Sequence, residues 1–113
     1  MRDILFRAYL KDRPMEYFGL HNGWPTNWTG WNTIMQSTGL KDKKGVLIYE
    51  GDIVKQFGCP ILFEIGFDKC SFFALGINST MRLRFHQPYG EIEIIGNIYE
   101  NPELLTKNKN DNN

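Results

Sequence analysis

Turn-forming residues divide the chain into short apolar runs, and this spacing is the feature that most constrains the fold. The 113 residues include 8 Phe, 5 Tyr and 3 Trp, together with 11 Gly and 5 Pro. Aromatic and β-branched residues favour strands, whereas glycine and proline interrupt them. A chain of this length suits one domain, which we assign to residues 1–105, with a disordered polar tail at residues 106–113. We predict strands at residues 4–10, 15–18, 34–40, 46–49, 53–55, 61–67 and 72–77, the last two joined around Lys69 and Cys70.

Alternating charge predicts two more strands in the second half of the chain. Residues 81–85 alternate apolar and basic side chains, and residues 91–94 alternate acidic and apolar ones. Pairing Arg84 with Glu91 also sets Arg82 against Glu93, which gives an ion-paired outer face and an apolar inner face. We therefore expect a hairpin in which these four charged residues have a structural role. A bend at Gly96 interrupts its last strand, which we expect Ile98 and Tyr99 to continue.

The remaining local signals are a tight corner and a short helical turn. Gly51 permits a backbone angle that a side chain would strain, and Asp52 can accept hydrogen bonds from nearby amides. Asn101 and Pro102 are typical of the start of a helical turn. The predicted architecture is mainly β, with antiparallel hairpins forming a small, partly open SH3-like barrel. We expect the irregular Trp-rich segment and the C-terminal turn to cover its ends.

Charge, cysteine content and hydropathy narrow the classes of function. Lys plus Arg and Asp plus Glu are both 13, so the chain lacks the strong basic charge of a typical nucleic-acid-binding protein. No apolar run approaches the roughly 20 residues that span a membrane. We expect no membrane association and a cytoplasmic location. Two cysteines are too few for a disulfide framework, which agrees with a reducing compartment.

Neither a metal site nor a catalytic site is predicted. Cys59, Cys70, His21 and His86 lack the paired spacing of structural zinc ligands. The phosphate-binding and nucleophile-elbow motifs are absent. Glu91 and Glu93 share a strand face, but arginines opposite them would keep both ionised and unsuited to act as general acids. We therefore expect no enzyme activity, no catalytic residues and no cofactor.

An aromatic segment and a basic turn are the candidate interaction surface. Trp24, Trp28 and Trp31 have helical spacing, but the Asn, Thr and Gly between them are weak helix formers. Their rings are expected to pack as a lid on the core, with an exposed stacking or protein-binding surface as the alternative. The basic turn carries three solvated lysines, which in that alternative would bind phosphates: Lys41, Lys43 and Lys44.

Four blocks of sequence resemble the YopX protein family. The first is ILFRAY at residues 4–9, and the second is MQSTGLKDK at residues 35–43 followed by Gly45. The third is IYEGDIV at residues 48–54, and the last is IIGNIYENPELL at residues 94–105. They occur in the family's order and extend over nearly the whole chain, whereas residues 56–90 and the Trp-rich segment match less closely.

The resemblance implies an intracellular protein encoded by a phage or prophage, a self-assembling oligomer, and no catalytic residues. The main hypothesis is that the chain is an accessory protein of unassigned biochemical role. It would be a non-enzymatic protein-interaction or self-assembly module with a phage or host protein as partner. The alternative is a weak nucleic-acid-binding protein that uses tryptophan stacking and the lysine-rich turn. An enzyme is the third hypothesis.

Overall fold

The computed structural model describes residues 5–9, 14–19, 34–85 and 91–106. These residues contain nine β-strands and one 3-10 helix. No helix among them is long and apolar enough to cross a bilayer. In chain order the elements are β1 (Leu5–Ala8), β2 (Glu16–Gly19), β3 (Ile34–Lys41), β4 (Leu47–Tyr49), β5 (Asp52–Gln56), β6 (Leu62–Asp68), β7 (Ser71–Gly76), β8 (Arg82–Arg84), β9 (Ile92–Asn97) and the 3-10 helix (Pro102–Thr106).

The strands form two antiparallel sheets, so the mainly β prediction is confirmed. The first sheet has the order β2-β1-β3-β4, and the second has the order β8-β7-β6-β5-β9. The ladders within the described residues do not close either sheet into a barrel. The predicted Trp-rich segment and all of the predicted tail except Thr106, which ends the 3-10 helix, lie outside the described residues.

The hairpin of β6 and β7 confirms the prediction that these strands join around Lys69 and Cys70. Both residues have positive φ angles, 50° and 65°, as required in a two-residue turn that matches the twist of the strands. The register runs from Asp68 opposite Ser71 to Phe63 opposite Gly76. One face of this hairpin therefore carries Phe63, Ile65 and Ala74, which are buried.

The predicted hairpin of residues 81–85 with residues 91–94 is wrong. β8 pairs with β7, with Leu83 opposite Ala74, and β9 pairs with β5, with Ile94 opposite Val54. The two strands consequently lie at opposite edges of the second sheet. Each real partner offers an apolar residue on the core face, so burial is satisfied without pairing β8 to β9.

The end of β9 also differs from expectation. The strand continues through Gly96 to Asn97. Val54 pairs with Ile94, whereas the preceding residue Ile53 pairs with Gly96, so Ile95 forms a β-bulge. Residues 98–100 form a turn instead of continuing the strand. Asn97 causes this turn because its Oδ1 accepts the N–H groups of residues 99 and 100, at 3.1 and 2.8 Å. The predicted helical turn after Asn101 is confirmed as the 3-10 helix.

The principal core packs on one face of the second sheet and includes a residue from the first. Ile48 of β4 is fully buried in this cluster, so the two sheets share a core. The other buried members come from β5, β6, β7, β9 and the end of β8: Val54, Phe63, Ile65, Ala74, Phe85 and Ile92.

Candidate functional site

A buried ion pair joins the first sheet to the second. The Arg7 Nη2 atom lies 2.7 Å from Asp52 Oδ1, and the two side chains are only 5% and 2% exposed. The second carboxylate oxygen of Asp52 accepts the Tyr49 N–H at 2.8 Å. The Arg7 guanidinium also lies over the Tyr49 ring, 4.8 Å from its centroid. Both charges are therefore fixed by several contacts in a dehydrated position.

The local backbone explains why these two charges meet. β1 places Arg7 between Tyr17 of β2 and Met35 of β3. The corner before β5 requires Gly51, which has a φ of 90° and leaves no room for a Cβ because Met35 Sδ would lie 2.8 Å from it. Gly51 thus has a positive φ angle, and Asp52 accepts a backbone N–H.

Sequence analysis missed the partner of Asp52. Arg7 lies inside an apolar strand and Asp52 begins another. Opposite charges embedded in two strands that must be buried are the signal that could have revealed the pair, because a buried charge needs a partner.

Burial and pairing act in opposite directions on Asp52. Desolvation raises the pKa of this carboxyl above 3.8, while the Arg7 charge and the Tyr49 N–H lower it. Arg7 Nε is buried and has no hydrogen-bond partner. The guanidinium therefore depends strongly on its contact with the carboxylate.

An open cleft of about 480 Å³ lies beside the ion pair. Among the described residues, its lining includes the pair itself together with aromatic and amide side chains: Arg7, Asp52, Tyr17, Tyr49, Asn97 and Asn101. The amides are already engaged in the turn after β9, where Asn101 Oδ1 accepts the Asn97 N–H at 3.1 Å. The cleft thus has a mixed lining, because Val46, Leu47, Ile94 and Ile95 also contribute to it, and several of its polar groups bond to one another.

Two half-buried carboxyls and a tyrosine form a second titratable cluster. Desolvation raises the pKa of Glu64 above 4.5. It also raises that of Glu50, against the opposing effects of the Gln36 N–H and Arg7. The pKa of Tyr99 is raised by burial and by the charges of Glu50 and Glu64. A glutamate between two buried apolar residues of β6 was the available sequence signal for this cluster.

The basic turn is neutralised by β9. Lys44 Nζ lies 2.9 Å from one carboxylate oxygen of Glu93, and Lys43 Nζ lies 3.6 Å from the other. A hydrogen bond and the charge of Lys44 lower the Glu93 pKa, and the same contact raises the Lys44 pKa. Lys41 remains exposed. Glu93 therefore binds the lysine turn and not Arg82.

Asp42 organises this turn. Its Oδ1 accepts the N–H groups of Lys44 and Val46, each at 2.9 Å, and its Oδ2 accepts the Ile94 N–H of β9 at 3.1 Å. The Lys43 N–H donates to the Ile92 carbonyl at 2.8 Å. The outer edge of β9 is consequently covered by the turn between β3 and β4.

The arginines of β8 have other neighbours than those predicted. Arg82 lies 3.5 Å from Asp68 in an exposed contact, and its guanidinium stacks 4.0 Å from the Phe73 ring centroid. Arg84 is exposed and lies opposite Phe73. Glu91 is exposed, and its carbonyl accepts the Phe57 N–H at 2.9 Å. The predicted arginine–glutamate face is therefore absent from the described part of the second sheet.

The other predicted candidates are not brought together. Trp24, Trp28 and Trp31 lie outside the described residues, as do His21 and His86. Within the described ranges, no three His, Cys, Asp or Glu side chains group as they would around a metal ion. The thiols are free, with Cys59 half-buried and Cys70 exposed.

Apolar side chains are exposed at the rim of the second sheet. From β6 through β7 to β8, one row of opposed residues on the core face is Ile65, Ala74 and Leu83. Their exposed fractions are 0%, 7% and 39%. Met81, just before β8, is 42% exposed. The core face thus extends past its buried centre to an apolar margin at β8 that no element among the described residues covers.

Comparison with known proteins identifies a matching family and a similar crystal structure. The family model described as YopX protein matches residues 5–106. The crystal structure of protein EF1440 from Enterococcus faecalis is 34% identical, with a TM-score of 0.51, and the match covers 91% of this chain and 75% of that chain. No curated protein matches significantly. The family match extends over all nine strands and the 3-10 helix, and on this basis the chain belongs to the YopX protein family.

Proposed function

We propose that the chain is a non-enzymatic protein-interaction or self-assembly module, encoded by a phage or prophage and active in the cytoplasm of the bacterial host. The uncovered apolar margin at β8 carries this proposal. Leu83 and Met81 continue the core face of the second sheet into solvent. Exposed apolar surface of this kind is removed from water when another protein covers it.

The titratable groups support a structural reading over a catalytic one. Asp52 is bound by Arg7 and by the Tyr49 N–H. Glu50 accepts a hydrogen bond from the Gln36 N–H at 3.3 Å. General acid–base catalysis needs groups that can reach a substrate and change protonation state during the reaction. The best-positioned carboxylates are instead occupied in joining the sheets.

Nucleic-acid binding is the alternative, and it has less support. Lys41 is exposed, which favours contact with phosphates. Lys43 and Lys44, however, share the carboxylate of Glu93. Labelled single- and double-stranded oligonucleotides at low salt test this alternative, which requires binding that weakens steeply with added salt and is reduced by Lys41→Glu.

An SH3-like, partly open barrel is the finer description of the fold that we propose. Ile48 of the first sheet packs in the core cluster of the second. The turn between β3 and β4 donates a backbone hydrogen bond to β9. These contacts support a barrel in which the edge opposite β9, at β8, is the open side.

Sedimentation velocity over a wide concentration range, together with affinity capture from host cells, tests the interaction function. We expect the wild type to self-associate or to retain a defined protein, and we expect Leu83→Lys to weaken the retention of that protein. The matched control is Val46→Lys, which changes an apolar side chain that is 53% exposed in the turn before β4. A monomer whose captured proteins are the same for all three chains would contradict the proposal.

A further inference from the structure

We propose that the outer edge of β8 binds an extended segment of a partner protein, with acidic side chains alternating with small apolar ones, by strand addition. This inference rests on the proposed interaction function and names the surface and the partner chemistry. Strand addition needs three features at an edge: backbone groups that point outward, side chains that select the partner, and space for an added strand.

The ladder indicates which backbone groups of β8 point outward. The Phe85 N–H donates to Phe72 of β7, and the Met81 carbonyl accepts from Gly76 of β7, both at 2.8 Å. Backbone groups alternate in direction along an antiparallel strand. Leu83 therefore faces β7, whereas the N–H and C=O groups of Arg82 and Arg84 face away from the sheet. All three β8 residues are exposed.

The opposite edge of the same sheet is not equivalent. On β9, the Ile92 carbonyl accepts the Lys43 N–H, and the Ile94 N–H donates to Asp42. The turn between β3 and β4 thus occupies that edge. Among the residues that the structure describes, no element pairs with the outer edge of β8, so this is the edge at which a partner strand can be added.

The side chains of β8 select an acidic partner. Arg82 and Arg84 alternate with Leu83, so both guanidinium groups lie on the outer face of the sheet. Arg84 makes no ion pair with the described residues, and the contact of Arg82 with Asp68 is long and exposed. Acidic residues on an added strand would lie directly opposite these arginines, where cross-strand charge pairs are favourable.

The alternation of arginine and leucine along β8 disfavours pairing of this edge with β8 of a second copy of the chain. Antiparallel pairing of two β8 strands about Leu83 would set Arg82 of one chain against Arg84 of the other, and vice versa. Like charges directly opposite one another destabilise a strand pair. Any self-association of the chain should therefore use another surface.

The core face supplies a position for an apolar side chain. Opposite Leu83, the partner residue would point to the core face, where Leu83 helps to line a narrow apolar crevice of about 20 Å³. Its lining includes Leu83, Phe85 and Ile92. So small a crevice favours a small apolar side chain, such as valine, over a large one at the central position of the partner segment.

The direct test uses a peptide of about eight residues that alternates Glu and Val, the length of an ordinary strand. We expect it to bind the full chain, and we expect the Arg82 and Arg84 amides to become protected from hydrogen exchange. One control peptide has the same composition with its glutamates in one block. A second has N-methyl groups on the amides that would face β8. Equal binding of all three peptides, or no binding of the alternating one, would overturn strand addition.

Charge reversal gives an independent readout. Arg84→Glu is expected to weaken binding of the alternating peptide about tenfold, because attraction at one cross-strand pair becomes repulsion. The matched control Lys69→Glu makes the same change in net charge at an exposed position in the turn between β6 and β7 and should leave the affinity unchanged. Circular dichroism of both variants establishes that they are folded, and the amide readout on the wild type needs no variant.

The outcomes separate this inference from the function on which it rests. Wild-type dimerisation that Leu83→Lys abolishes would support an interaction module but assign the edge to a second copy, which overturns the inference. If neither Arg84→Glu nor competition by the alternating peptide reduces capture of the partner, the inference is also overturned. A chain that associates with nothing would contradict the proposed function itself.

Discussion

At the residue scale, the Arg7–Asp52 pair shows how two unfavourable burials become a structural link. Each charge alone would lose its hydration, and the direct contact at 2.7 Å compensates for part of that loss. The Tyr49 N–H and the Tyr49 ring provide further compensation. The net stabilisation that the intact pair gives is therefore smaller than the loss of stability that removing one partner would cause.

Asp52→Asn should be among the most destabilising single substitutions in the chain. It keeps the shape of the side chain but leaves the Arg7 guanidinium buried without a counter-charge, which costs about 3–5 kcal/mol in such cases. Urea denaturation followed by tryptophan fluorescence measures the change in the free energy of unfolding. The control Asp68→Asn removes the exposed contact with Arg82 and should cost less than about 1 kcal/mol. Equal effects would show that the buried pair is not a structural link.

Glu64→Gln should make the protein more stable at neutral pH. Burial raises the Glu64 pKa above 4.5, so the folded chain retains a proton at pH values where the unfolded chain has lost it. Acidification therefore favours the folded wild type, and the ionised carboxylate disfavours it at neutral pH. The advantage of the variant should shrink as the pH falls through the raised pKa and disappear below about 4.5. Urea midpoints at several pH values test this, with the exposed Glu91→Gln as control.

At the element scale, locally determined hairpins were predictable and the order of strands in the sheet was not. The β6–β7 hairpin follows from two apolar runs and a two-residue turn, all within a short stretch of chain. The pairing of Arg84 with Glu91 satisfied charge and burial equally well but was wrong. β8 and β9 find other partners, with Leu83 opposite Ala74 and Lys55 opposite Glu93. An alternating pattern specifies which face is buried, but several neighbours can satisfy that requirement.

Asp42→Ala should weaken the link between the β3–β4 turn and β9. Burial raises the Asp42 pKa, but N–H donors from Val46, Ile94 and Lys44 outweigh it and the pKa is lowered below 3.8. Losing these acceptors should cost about 2–3 kcal/mol. A depressed pKa means that this stability is present above about pH 4 and is lost as the pH falls through the lowered value. Wild type and variant should therefore converge in acid.

Chemical denaturation at pH 7 and in acid measures both parts of that expectation. Lys44→Ala is the control, because it removes an exposed amine while keeping the backbone N–H that Asp42 accepts. A stability difference that persists unchanged in acid would show that the Asp42 carboxylate does not act through its charge.

At the scale of the whole molecule, contacts between distant elements determine what is left exposed. Ile48 of the first sheet completes the core of the second, and the turn after β3 covers the outer edge of β9. In the described residues, no equivalent element covers Leu83 at the other edge. The candidate docking edge is thus a consequence of strand order, which is why the sequence pattern alone paired these arginines with glutamates of the same chain.

The two sheets should unfold together as one cooperative unit. The Arg7–Asp52 pair and the packing of Ile48 both connect them, so opening either sheet would expose buried charge and apolar surface of the other. Native-state hydrogen exchange in low urea should give one common opening free energy for the amides of Met35 in β3 and Ile65 in β6. Asp52→Asn should lower both values equally. The Leu83 amide is an internal control, because β8 has a single neighbouring strand and should open at lower free energy. Separate opening free energies for the two sheets, with only one sensitive to Asp52→Asn, would show that the shared core does not couple them.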